Sequence, residues 1–180
     1  MKKCKKIVVT GGPGSGKTSL IQALENRGFP VFHEISRQLI AEGQQAGTQN
    51  YFKEAPIPFS QKLLDARIQQ FHQANAALDP FVFLDRGLPD VIAYFDSIEQ
   101  DPPFSINLKQ EYRYDQVFFL PPWEAIYQQD SQRMETFVEA QEIGRILLSH
   151  YTKLDYAPVK IPPGTLSERC DFLLTQIGYG

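Results

Sequence analysis

One eight-residue segment, Gly11-Gly12-Pro13-Gly14-Ser15-Gly16-Lys17-Thr18, constrains this chain more than any other. Its G-x-x-x-x-G-K-[ST] spacing needs small residues, because backbone N–H groups must turn inward around phosphates and side chains would obstruct them. The flanks supply the context that the pattern requires. Lys6 to Thr10 is a β-branched run, and Lys17 to Arg27 places Leu20, Ile21 and Leu24 on one helical face before Gly28 stops it. Strand, glycine loop and helix therefore follow one another. The segment Gly11 to Ser19 is expected to hold a nucleoside triphosphate, taken as ATP. Lys17 would reach the β- and γ-phosphates, the Thr18 hydroxyl would meet Mg²⁺, and the helix N-terminus would add its positive dipole end.

The rest of the chain continues the alternation. Pro30 to His33 reads as a second strand and about Glu34 to Glu42 as a helix; the polar stretch Gly43 to Pro58 reads as a loop able to order over a ligand. A helix is expected from Ser60, as its N-cap, with Leu64, Ile68, Phe71 and Leu78 at helical spacing. Phe81 to Leu84 is apolar on both faces, as a central parallel strand should be, and ends on Asp85. Helical pieces near 88–99 and 105–112 precede a strand at Gln116 to Leu120. Gln128 to Arg133 reads as a polar loop, Glu135 to Tyr151 as a helix and Tyr156 to Ile161 as a fifth strand. Thr165 and Glu168 form a T-x-x-E capping box for a last helix. The pattern predicts an α/β protein with a parallel sheet, in one domain spanning 1–180.

Composition excludes several classes. With 18 basic and 21 acidic residues the net charge is −3, so no overall positive field attracts nucleic acid. The lysines at positions 2, 3, 5 and 6 precede only Ile7-Val8-Val9, too short an apolar run for an export signal, and no stretch is long enough for a membrane span. Two cysteines, Cys4 and Cys170, fit reduced thiols in a cytoplasmic protein.

Several side chains are candidates for chemistry. Asp85, ending a buried strand, is placed to contact magnesium directly or through water, or else simply to cap the next helix. Arg86 follows where motor ATPases carry a second acid; it suits a grip on an acceptor or phosphate oxygen, or else is simply solvated or salt-bridged. Glu34 ends the second strand at the carboxyl edge where open α/β sheets bind ligands, and could accept a proton from an attacking hydroxyl. Arg37, one turn on, could neutralise charge there, although Glu34 and Arg37 could equally form an i,i+3 pair. Arg133 could be a mobile arginine over a transferring phosphoryl group or a solvated loop charge. His33 is expected to be packed, Trp123 to pack at a sheet edge or stack on a base, and His72 and His150 lack metal-ligand spacing.

The P-loop, His33-Glu34-x-x-Arg37, Phe83-Leu84-Asp85-Arg86-Gly87, the Tyr114-Asp115-x-Val117-Phe118-Phe119 strand and the Arg133 loop resemble P-loop kinases of the nucleoside and nucleotide kinase type. They most closely resemble a family of predicted ATPases named after an AAA domain, which is similar to the ribosylnicotinamide kinase domain. The resemblance implies a three-layer α/β/α P-loop NTPase sandwich whose five-stranded parallel sheet has the order 2-3-1-4-5. It also implies a lid around 128–135, and adenine near Pro162 to Thr165. Glu34, Asp85 and Arg86 then become base, magnesium contact and substrate contact, with Arg37 beside the acceptor. Lys17, Glu34 and Arg133 form the catalytic set of a kinase for a small hydroxyl-bearing, nucleoside-like acceptor. A hydrolytic switch and a non-catalytic nucleotide-binding partner are the alternatives. Thr152-Lys153-Leu154-Asp155 matches the guanine-binding [NT]-K-x-D pattern but follows a helix rather than a strand, and reads as coincidence.

Overall fold

The structure is a computed structural model that describes residues 4–45, 47, 54–97, 100–102, 105–126 and 136–179. Its centre is β1 (Lys5–Gly11), between β3 (Phe81–Asp85) and β4 (Gln116–Leu120), with the short strands β2 (Val31–Phe32) and β5 (Val159–Lys160) outside them. All pairings are parallel and the order is β2-β3-β1-β4-β5, as expected. Because successive side chains of a strand point to opposite faces, β1 feeds two separate layers. Ile7 and Val9 pack with Leu20, Ile21 and Leu24 of α1 (Lys17–Asn26) and with Cys170, Leu173 and Leu174 of the last helix. Val8 packs on the opposite side with Phe71, Tyr114 and Tyr151. Both faces are thus covered by helices, the arrangement that lets parallel strands be apolar throughout.

Register brings the chemistry to one edge. Val9 lies opposite Asp85, and Gly11 opposite Leu120, so β1 runs on into the glycine loop beside the end of β3.

Helix bounds depart from the sequence reading in four places. The second helix, α2 (Ser36–Gln45), continues through Gly43, which is buried on it, so the expected loop does not begin there. The next helix, α3 (Pro56–Ala76), opens at Pro56 rather than at Ser60. A proline in the first turn gives up an N–H that has no intrahelical partner anyway, so Pro56 and Pro58 start a helix instead of extending a loop. Ser60 consequently lies inside the helix and is buried, whereas Leu78 falls beyond its end at 86% exposure. After α4 (Leu88–Ser97), the next piece shrinks to the single turn α5 (Leu108–Glu111), capped by the Asn107 side chain. A 3₁₀ turn (Glu124–Ile126) follows β4.

The long helix α6 (Phe137–Lys153) begins at a capping box, Thr136 with Glu139, that the sequence reading passed over. The foreseen Thr165–Glu168 box starts α7 (Leu166–Gln176). Both cysteines are buried and unpaired with one another. Among the described residues, no helix is long and apolar enough to cross a membrane.

Candidate functional site

The glycine loop between β1 and α1 has the backbone its sequence demands. Gly14 and Gly16 sit in the left-handed region, at φ 70° and 77°, which L side chains rarely adopt. Gly12 is needed for a different reason: a Cβ there would stand 2.7 Å from the Ala140 carbonyl oxygen of α6. The loop thereby packs directly on α6. In front of it lies a cavity of about 150 Å³ lined by residues 12–19 together with Glu34, Ser36, Arg37 and Arg86.

Beside the cavity three cations alternate with three carboxylates. Lys17 Nζ donates to Asp85 Oδ1 and lies 3.8 Å from Glu34 Oε2. Arg86 Nε is 2.5 Å from Glu34 Oε2, and Arg67 Nη2 donates to Glu34 Oε1 at 2.7 Å. Arg86 Nη1 continues the chain to Asp90 Oδ1 at 3.1 Å. Asp90 is saturated: Thr10 Oγ1 and Tyr151 OH donate to it at 2.6 Å each, and the Gly87 N–H at 2.9 Å. That carboxylate ties the end of β1, the turn after β3 and the far end of α6 into one unit. Arg86 itself has φ 75°, a left-handed position for a non-glycine residue that costs roughly 1–2 kcal/mol, so its contacts with two carboxylates must outweigh strain.

The electrostatics follow from burial competing with these partners. Burial alone would raise the Glu34 pKa, but Arg67, Arg86 and Lys17 outweigh it and hold the carboxyl at about 2. For Lys17, burial lowers the pKa and Arg86 adds to that, with Asp85 and Glu34 offsetting part of it. Asp90 is held below the usual carboxylate range: burial acts against this, and Arg86 and Arg67 outweigh burial. Burial and the neighbouring Asp90 push the Tyr151 phenol well above its ordinary value, so it stays a hydrogen-bond donor.

The residues fit a phosphate chain. A Cβ at Gly11 would run into the Leu120 carbonyl oxygen, so the loop can lie against β4 only as glycine, and the Ser15 hydroxyl, buried within the loop, has no hydrogen-bond partner among the described residues. Thr18 and Asp85 offer the hard oxygen donors that Mg²⁺ takes. Among the described residues no group of three or more His, Cys, Asp or Glu could hold a metal ion.

Of the residues singled out from sequence, Lys17, Glu34, Asp85 and Arg86 converge as neighbours. Arg37 lines the cavity but is exposed; Glu34 pairs with Lys17, Arg67 and Arg86 instead, so the i,i+3 pair does not form. Arg133 and the lid expected around it lie outside the described residues. His33 corrects the expectation of packing: its side chain is 54% exposed and pairs with Glu25, because β2 ends before it. His150 pairs with Asp96. In the guanine-like motif, Asp155 pairs with Lys109 and Thr152 bonds back to the Leu148 carbonyl, so neither is turned to the cavity. Sequence reading missed Arg67, Asp90, Thr10 and Tyr151. Arg67 carried a usable signal: it occupies a position on the buried stripe Leu63, Leu64, Phe71 of α3, where an arginine must find a buried partner.

Residues 6–169 match the profile of a family described as an AAA domain. A search of curated proteins finds no match. Among solved structures, the chain is similar to NadR protein in complex with NR, at TM-score 0.71 and 18% identity, covering 98% of this chain and 51% of that one. It is similar to deoxyadenosine kinase from M. mycoides with bound dATP, at TM-score 0.66 and 12% identity, covering 96% and 99%. It is also similar to thymidylate kinase from Candida albicans, at TM-score 0.65 and 16% identity, covering 98% and 92%. At these identities the likeness establishes the P-loop kinase fold.

Proposed function

The chain belongs to the AAA domain family matched over residues 6–169, with the fold of nucleoside and nucleotide kinases, and from that premise we propose that it is a Mg-ATP-dependent kinase. It transfers the γ-phosphoryl group to a hydroxyl of a small, nucleoside-like acceptor. The observation that carries this reading is Glu34: a carboxylate at the cavity wall, ionised and aimed by two arginines, with the P-loop lysine 3.8 Å away.

In this reading Lys17 exchanges Asp85 and Glu34 for the β- and γ-phosphate oxygens. Thr18 and Asp85 would hold Mg²⁺, which would supply charge neutralisation at the phosphates. Glu34, relieved of one cation, accepts a hydrogen bond from the acceptor hydroxyl and orients its oxygen at the γ-phosphorus. The new O–P bond forms as the bond to the β-phosphate oxygen breaks; the hydroxyl proton passes to Glu34 and ADP departs. Because such transition states are loose, most of the acceleration comes from positioning and charge stabilisation, and a weak base late in the reaction suffices. Arg86 steadies the acceptor side, and Arg37, at the exposed rim, neutralises charge on the entering substrate. The family resemblance assigns the adenine to the neighbourhood of Pro162 to Thr165 and a catalytic role to Arg133.

The test is a nucleotide and metabolite screen by thermal shift followed by transfer assays on the Glu34→Gln variant. Transfer to the acceptor should fall by about 10²–10⁴-fold, the usual contribution of general acid–base catalysis. Undiminished transfer by the variant would remove Glu34 from the chemistry. Preference for GTP over ATP, or MgATP turnover that no acceptor accelerates, would favour a hydrolytic switch instead.

A further inference from the structure

Arg169 of α7 is buried at 6% exposure on the helix face that also carries Cys170, Leu173 and Leu174. Packing alone would be better served there by another apolar residue. Among the described residues the guanidinium forms no ion pair, and its Nε has no hydrogen-bond partner. Burial pushes its pKa down and no carboxylate acts to restore it. Taking a cation out of water without an acid beside it is costly, so the position has to be explained by what the cation touches. Its one hydrogen bond among the described residues is from Nη2 to the Ser15 carbonyl oxygen, in the middle of the glycine loop, at 2.8 Å.

That carbonyl belongs to the same planar unit as the Gly16 N–H, and no peptide bond in the described chain is cis. In a trans unit the C=O and the N–H point in opposite directions. A guanidinium that pulls the Ser15 carbonyl away from the cavity therefore turns the Gly16 N–H toward it. Both residues line the cavity, and the Gly16 N–H makes no hydrogen bond within the described protein. We propose that Arg169 is a positioning residue for the phosphate cradle, holding the Ser15–Gly16 peptide so that its N–H is presented to a phosphate oxygen before the nucleotide arrives. The last helix of the fold thus presets a loop lying about 150 residues earlier in the chain. This rests on the triphosphate-binding part of the proposed function and is independent of whether the phosphoryl group goes to an acceptor or to water.

The test compares Arg169→Gln and Arg169→Lys with the wild-type protein by calorimetric titration with MgATP and with inorganic tripolyphosphate. Loss of one well-aimed charge-assisted contact should weaken both ligands for Arg169→Gln by the same factor, about tenfold. Arg169→Lys, which keeps charge and a donor, should stay within about threefold of wild type. Equal loss on the two ligands places the defect at the phosphates, a distinction that general loosening of α7 would not produce. The inference fails if Arg169→Gln binds tripolyphosphate as tightly as wild type, or if only MgATP weakens. Should Arg169→Gln not fold, the Gly16 amide resonance of the wild-type protein decides: it must move on adding tripolyphosphate, and a stationary resonance overturns the assignment. A wild-type protein that bound neither ligand would overturn the triphosphate reading itself and the inference with it.

Discussion

Replacing Glu34 by glutamine should change not only activity but the way stability depends on pH. The folded protein holds this carboxyl at about 2 against an ordinary value of 4.5. At 1.36 kcal/mol per unit, that difference of about 2.5 units corresponds to about 3 kcal/mol, and with its side chain 12% exposed the group is little screened by solvent. The folded pKa is depressed, so this stability is present above the unfolded value, near 4.5, and is lost as pH falls through the folded value, near 2. About half of it should be gone by roughly pH 3. Glutamine mimics the protonated acid at every pH and leaves Arg67 and Arg86 without their shared partner. The variant should therefore unfold about 6–12 °C below wild type near neutrality, for a domain of this size. The gap should close as the medium becomes acidic. Thermal unfolding of both proteins from about pH 7 to pH 3, or denaturant titration at the acid end, reads the difference directly. Two curves that stay parallel across that range would refute the account of the cluster, because the carboxylate would then contribute nothing that protonation can remove.

Two further outcomes rest on the same geometry. A Cβ at Gly87 would stand 2.7 Å from the Tyr151 hydroxyl and 3.1 Å from the Tyr114 ring, so Gly87→Ala should cost about 1–3 kcal/mol in chemical denaturation. Adding Tyr151→Phe should recover part of that, although Tyr151→Phe alone loses a bond to a charged acceptor worth about 1.5–3 kcal/mol; strict additivity would mean the two do not meet. Saturating MgATP, at about a hundred times its Kd, should stabilise wild type by about 2.7 kcal/mol and shift its melting temperature accordingly. Lys17→Met should abolish that shift while also lowering ligand-free stability, since Asp85 loses its buried partner. A variant that retained the MgATP shift would remove Lys17 from the nucleotide site.

The strands and the glycine loop were legible because periodicity and glycine spacing report on local backbone, whereas the sheet order was implied by the family resemblance alone. Asp85 was legible too, as the polar residue closing an apolar strand. What pairs with what was not. Glu34 and Arg37 share a helical turn in sequence, yet Glu34 finds Arg67 and Arg86, at separations of 33 and 52 residues, because the parallel sheet brings the ends of β2 and β3 together and lays α3 alongside. Asp90 was passed over in the sequence, since only the tertiary fold delivers Thr10 and Tyr151 to it. The helix start at Pro56 was misread because proline marks loops and first turns alike, and only the apolar stripe downstream of it, Phe59, Leu63 and Leu64, separates the two.

The central place of β1 bears on how the protein comes into being. Synthesised ahead of both its neighbours, β1 pairs with β3 through Phe81 to Asp85 and with β4 through Gln116 to Leu120. At the usual pace of about 5–20 residues per second, the ribosome takes roughly 5–20 s to extend the chain from the end of β1 to β4. Throughout that interval Ile7, Val8 and Val9 have no completed sheet to enter. Mutations that slow the closing of β4 onto β1 should therefore be felt first as lower yield from the cell, before any loss of stability in the finished molecule.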